Sequence, residues 1–250
     1  MLVLDQLTRT FGARTAVDNL NATLKPGEVV GFVGPNGAGK TTTIKLIAGL
    51  LVPSKGRVLV DDIDNVKDPE AAKRKLAYIP DRPYVPERLS ARELLTFIAG
   101  LYGIDPVLVD EVGLRELARF GLKGREDDLL GSYSHGMRQR VLLASAFMRQ
   151  PRVLLVDEPM VGLDPQGMKL VKRVLREAAE TGAVVLMSTH TLDVVEEVCD
   201  RVLVMARGKL LADGTVNDLL STLPRDVRGT PPTLEDLFLQ LTGSSEEVLE

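Results

Sequence analysis

Three glycines, a lysine and two threonines are concentrated in Gly34-Pro-Asn-Gly-Ala-Gly-Lys-Thr-Thr42, which fits the pattern G-x-x-x-x-G-K-[ST]. The residue types suit one kind of chemistry. Glycine lets the backbone wrap closely around phosphate oxygens, and successive N–H groups then point inward as donors. Gly34, Asn36, Gly37, Ala38, Gly39 and Thr42 are therefore expected to form the cradle of a nucleoside triphosphate. The Lys40 ammonium is expected to reach the β- and γ-phosphates, and the Thr41 hydroxyl to ligate Mg2+.

A second cluster lies far downstream. Val153-Leu-Leu-Val-Asp-Glu-Pro159 is an apolar run that ends in two carboxylates, which strand alternation points in different directions. Asp157 suits a magnesium ligand, and Glu158 suits a general base toward an attacking water. His190, in Ser188-Thr-His190, ends another apolar run and could position that water.

These groups meet only if the elements carrying them end at one place. Val29–Val33, Gly56–Asp61, Leu76–Ile79, Val153–Val156 and Val184–Ser188 read as strands, and Thr41–Leu51 reads as a helix. Pro165–Glu180 reads as a helix opened by Asp164 and Pro165. Met1–Leu24 alternates about a Phe11-Gly12 turn, as antiparallel strands do, and Arg201–Asp213 resembles a hairpin turning at Gly208. Leu89–Gln150 holds helices only. The expected fold class is α/β: a mostly parallel sheet covered on both faces, with an N-terminal antiparallel β-subdomain and a helical insertion at about residues 86–150. Parallel strands bring their carboxyl ends to one crevice, which would gather the cradle, the carboxylates and His190.

In this order the segments resemble the ATPase domain of ABC transporters, over about residues 2–218. The resemblance implies a P-loop NTPase core with ATP and Mg2+ as cofactors. It implies that Phe11 stacks on adenine with Val17 nearby, that Asp157 and Glu158 are the Walker B pair, and that His190 is the switch histidine. Asp81, in Tyr78-Ile-Pro-Asp81, stands where the family usually has a glutamine, and its carboxylate can still ligate a cation. Tyr133-Ser-His-Gly-Met137 occupies the position of the signature usually written Leu-Ser-Gly-Gly-Gln, with His135 and Met137 as departures. In that family two ATPase domains pair head to tail. Ser134, His135, Gly136 and Met137 of one copy would then face the nucleotide of the other, and Asp164 would belong to the loop communicating between them.

The partners implied are a transmembrane permease and a second copy of the chain or a related ATPase subunit. Asp81–Leu101, with Tyr84, Val85, Pro86 and Leu89 exposed, is the expected permease contact. Residues 219–250 form a C-terminal extension in which Thr233–Gly243 resembles the amphipathic tail helix of type-2 exporter ATPases. Leu223–Pro232 reads as a connector and Ser244–Glu250 as a frayed acidic end.

Bulk composition agrees. The 250 residues carry a net charge of -4, which offers no broad basic face for nucleic acid. No apolar run approaches the roughly 20 residues of a membrane-spanning helix, and Met1–Gly12 lacks a secretory layout. The chain is thus expected on the cytoplasmic, inner face of the membrane as a peripheral subunit. The lone Cys199 excludes an internal disulfide and reads as buried. The alternatives are an ABC-type ATPase of repair, chromosome maintenance or translation, and an unrelated P-loop kinase or GTPase. The first wants long heptads or two cassettes. A GTPase wants Asn-Lys-x-Asp, and none of these features occurs.

Overall fold

The computed structural model describes residues 1–223 and 232–243. The expected connector, apart from its first and last residues, and the expected acidic end both lie outside the described residues. In chain order the strands are β1 (Leu2–Phe11), β2 (Arg14–Leu24), β3 (Val29–Val33), β4 (Lys55–Val60), β5 (Ile63–Asp64), β6 (Leu76–Ile79), β7 (Val153–Asp157), β8 (Val184–Ser188), β9 (Arg201–Ala206) and β10 (Lys209–Thr215). The helices are α1 (Lys40–Ile47), α2 (Pro69–Lys75), α3 (Ala91–Tyr102), α4 (Pro106–Leu108), α5 (Leu114–Arg119), α6 (His135–Met148), α7 (Pro165–Glu180), α8 (Leu192–Val198), α9 (Val216–Ser221) and α10 (Leu234–Gly243).

Two sheets result. β1, β2, β4 and β5 form an antiparallel sheet in the order β2-β1-β4-β5, and the other strands form a six-stranded sheet in the order β10-β9-β3-β8-β7-β6. Within the latter every neighbouring pair is parallel except β9 and β10. Every residue of β3, β7 and β8 is buried, as strands covered on both faces require. Alternation splits β3 between two cores. Val29 and Val33 join the cluster that includes side chains of α6, α7 and α8, whereas Val30 and Phe32 join the one built on α1 and the antiparallel sheet. Gly31 between them allows a close approach: a Cβ there would lie 2.8 Å from a Val195 methyl of α8.

The helices follow local chemistry. Asp164 accepts from the Gly167 N–H at 2.8 Å and Pro165 opens the first turn, so α7 begins where the sequence places it. A cap of this kind contributes about 1 kcal/mol. Val171, Val174, Leu175 and Ala178 then bury one face at helical spacing. α3 opens with a reciprocal cap between Ser90 and Glu93. Residues 91–148 contain no strand, and the α10 helix packs on α8, with Leu234 and Leu237 buried.

The segment Val194–Val202 divides into the end of α8 and the start of β9. Asp200 makes the break, accepting from the Val29 N–H at 2.8 Å and returning its own N–H to the Val29 carbonyl. Among the described residues no helix is long and apolar enough to cross a membrane.

Candidate functional site: a phosphate cradle at one sheet edge

Register brings the chemistry together. β8 lies between β3 and β7, with Phe32 paired to Ser188 and Asp157 paired to Ser188. The carboxyl ends of these three strands therefore stand side by side, and each runs into a stretch named from the sequence.

β3 runs into the loop Gly34–Gly39, which ends at α1. Gly39 holds φ of +112°, and a Cβ there would lie 2.3 Å from the Ala16 carbonyl oxygen, so no other residue fits. The Lys40 side chain is buried within the loop, where its Nζ donates to the carbonyls of Gly34 and Pro35. Burial pushes the Lys40 ammonium below its ordinary pKa, while Glu158 and Asp157 pull it back up.

At the end of β7 the two carboxylates diverge. Asp157 is buried and accepts a hydrogen bond from the Ser188 hydroxyl, with the Thr41 hydroxyl close enough to favour its charged form. Burial raises its pKa above the usual value. The Ser188 bond opposes that, and the Asp81 and Glu158 charges push the same way as burial. Glu158 takes a left-handed backbone, φ +49°, and gives its N–H to the Ser188 carbonyl at 3.0 Å. That turn swings its carboxylate toward His190, whose Nδ1 lies 2.9 Å from Oε1.

A cavity of about 510 Å3 follows the cradle. Phe11, Asn36, Gly37, Ala38, Gly39, Lys40, Thr41, Thr42, Asp81, Asp157 and Glu158 all border it. Phe11 is 45% exposed, and one face of its ring is covered by the Arg9 guanidinium at 4.5 Å. His190 and Gly34 border an adjoining cavity of about 340 Å3, which shares Asn36 and is closed on one side by Phe238 of α10. A larger cavity of about 660 Å3 lies between α5, α6 and α7, away from the cradle.

Two expectations need correction. Val17 is fully buried in the core and does not border the cavity, whereas Ala16 does. Val85 is buried as well, and Leu89 is only half-exposed, so of the four residues named for the permease contact only Tyr84 and Pro86 are exposed.

Ser134, His135, Gly136, Met137 and Asp164 do not border the cavity. Ser134 is exposed and caps α6 by accepting from the Met137 N–H at 3.3 Å. The His135 ring packs against Gly162, and Gly136 lies against Leu163, so the two loops form one surface. Gln139 ties this surface to the acidic strand end, donating to the Pro159 carbonyl at 2.8 Å.

The oxygen donors fit a hard divalent cation: the Thr41 hydroxyl touches the Asp157 carboxylate, and Asp81 borders the same cavity. Among the described residues no three His, Cys, Asp or Glu side chains are arranged to hold a metal ion by themselves, so phosphate oxygens would have to complete the shell.

Sequence reasoning missed Arg14, Ala16 and Ser188. Pairing rules contain the signal for two of them, because Ser188 is the lateral neighbour of Asp157 and Arg14 is the cross-strand partner of Phe11.

The family model described as ABC transporter matches residues 17–161, more than half of the chain. The chain belongs to the ABC transporter family. This ABC chain carries the family's ATP-binding ATPase domain. It is 34% identical to the ABC-type transporter ATP-binding protein EcsA of Bacillus subtilis, over 97% of this chain and 96% of that protein. It is 36% identical to the probable multidrug ABC transporter ATP-binding protein YbhF of Escherichia coli, over 94% of this chain but only 40% of YbhF. Among solved structures, an ATP-binding subunit of an ABC transporter superposes with a TM-score of 0.89 at 31% identity, covering 97% of this chain and 99% of that one. The P-loop NTPase core expected from the sequence is thus the fold of this ABC domain.

Proposed function

We propose that this chain is the ATP-hydrolysing subunit of an ABC exporter, driving a separate transmembrane permease through closure of a head-to-tail pair of ATPase domains. The observation that carries this reading is the division of the site. Lys40, Asp157, Glu158 and His190 converge on one edge, while the exposed Ser134 cap lies outside their cavity, on the surface shared with Gly162.

In the proposed cycle Phe11 stacks on adenine and residues 34–42 hold the phosphates. Lys40 turns from its own loop carbonyls to the β- and γ-phosphate oxygens. Thr41, Asp157 and Asp81 would hold Mg2+, which when bound neutralises phosphate charge. Glu158 accepts a proton from the attacking water as the water's oxygen forms a bond to the γ-phosphorus, the bond from that phosphorus to the β,γ-bridging oxygen breaks, and ADP leaves with the electron pair, while His190 holds the water in line. Ser134 and the Gly136 N–H of a second copy, or of a related subunit, donate to the γ-phosphate from the start of α6. Binding energy is thereby converted into closure, because the site is complete only when two surfaces meet.

Residues 1–218 would be the ATPase domain, with the helical insertion at about 86–150. Residues 219–250 are assigned to the extension. Tyr84 and Pro86 are assigned to the permease contact, which places the subunit at the inner face of the membrane. The family of relatives that includes a probable multidrug protein supports export. The decisive experiment is gel filtration of Glu158→Gln with saturating Mg-ATP, alone and with its co-purified permease. A dimer trapped by ATP and released by ADP is expected. A monomer under every condition overturns the proposal.

A further inference from the structure

The hairpin that carries Phe11 also presents a cation at the mouth of the cradle. β1 and β2 are closed by the Gly12-Ala13 turn, so Phe11 and Arg14 are cross-strand partners with side chains on one face. Both border the 510 Å3 cavity. The Arg14 guanidinium lies next to the phosphate loop, with Nη2 3.8 Å from the position a Gly37 Cβ would occupy. Arg14 is exposed, and among the described residues no hydrogen bond, ion pair or ring contact engages it. Asp81, Asp157 and Glu158 border the cavity, yet none pairs with Arg14.

The charges along the cavity explain what is missing. Lys40 is the other cation that borders it, and it sits at the end occupied by Asp157 and Glu158. A polyphosphate lying between the Phe11 ring and Lys40 would run past Gly37 and hence past the free guanidinium. We infer that Arg14 is a phosphate-binding residue of this site, donating through its planar N–H groups to oxygens of the nucleotide's phosphate chain on the side facing the Phe11 hairpin. The inference rests on the reading of this cavity as the nucleotide site. It adds a ligand from outside the G-x-x-x-x-G-K-[ST] loop, delivered by β2, the hairpin partner of the strand that carries the aromatic ring.

Two properties follow from the chemistry. Arginine offers paired donors in a fixed fork, which lysine does not reproduce. A cation serving phosphate is also blind to the base.

The test uses the full chain and two probes, ADP and inorganic tripolyphosphate, the latter measured by displacement of a fluorescent ADP. Arg14→Ala is expected to weaken both about tenfold, the share of one charge-assisted hydrogen bond at an exposed position. Arg14→Lys should recover part of the loss and Arg14→Gln little of it. Phe11→Ala should weaken ADP while leaving tripolyphosphate within twofold, which separates the ring's role from the cation's. The salt dependence of tripolyphosphate binding should be shallower in Arg14→Ala, a readout that a structural role would not move. Unchanged tripolyphosphate affinity in Arg14→Ala, with binding lost in Lys40→Ala, overturns the assignment of Arg14 and leaves the site intact. If the unaltered protein bound neither probe, the site reading and this inference would fall together.

Discussion

His190 and Glu158 form a hydrogen-bonded pair across two strand ends, with Nδ1 2.9 Å from the carboxylate oxygen. The pair is asymmetric in exposure, since the imidazole side chain is 66% exposed and the carboxylate 20%. The carboxylate is thus oriented by a group that itself remains open to ligand.

Removing either member should therefore have different effects. Glu158→Gln keeps shape and a hydrogen-bonding oxygen but removes the proton acceptor, and turnover should fall by about 10^2- to 10^4-fold with ATP affinity nearly unchanged. His190→Ala leaves the base in place but unoriented, so kcat should fall while KM holds. Steady-state phosphate release at saturating ATP checks both, and an unchanged kcat in either would remove that residue from the chemistry.

The Lys40 ammonium is satisfied within its own loop by two carbonyls. Its value appears on ligand binding. Lys40→Ala should weaken ATP and ADP by roughly 10- to 100-fold, as the loss of hydrogen bonds to charged oxygens requires. Titration calorimetry of both nucleotides would show it, and a loss confined to kcat would contradict it.

Alkaline pH should expose the buried acids. Burial pushes the Cys199 thiol up from 9.0 to about 12 and the Tyr78 phenol up from 10.0 to about 12. The folded chain thus retains protons that the unfolded chain has already released. Their stabilising contribution is complete below the unfolded pKa values and is lost as pH rises through about 9 to 12. Urea unfolding at pH 8 and pH 10 should show the loss, and Cys199→Ala should have a shallower decline despite a lower starting stability. A parallel decline in the two proteins would dismiss the thiol's part.

Gln139 is buried on α6 and holds the Pro159 carbonyl. Gln139→Leu keeps the volume and leaves that carbonyl unpaired, at a cost of about 1–3 kcal/mol. Hydrolysis should drop more than ADP affinity, because Pro159 follows Glu158 directly. Equal losses in both would mean the tie serves stability alone.

The positions of Lys40, Asp157, Glu158 and His190 were legible because each ends or follows a short apolar run, and parallel strands share an edge. Val17 was not legible. Simple alternation from Leu24 through Ala22 and Leu20 puts even-numbered residues inside, but Asn19 takes φ of +49° and the ladder shifts there, so Val17 turns inward and Ala16 outward. Helix α8 was hidden for a related reason. Val194–Val202 carries no glycine or proline to mark a boundary, and Asp200, paired with Val29 some 170 residues away in sequence, stands where helix gives way to strand. Val85 was judged by its neighbours Tyr84 and Pro86, whereas local packing turns that one side chain inward.

Gly31 has no polar side chain and never meets solvent, yet it sets how near α8 can come to the sheet. That helix starts two residues beyond His190. A single added methyl group at position 31 would press on Val195, lever the helix outward and drag the imidazole off its carboxylate. An inert hydrocarbon contact deep inside the molecule thereby governs the Glu158–His190 pair at its rim, and loss-of-function changes are to be expected there as readily as at Glu158 itself.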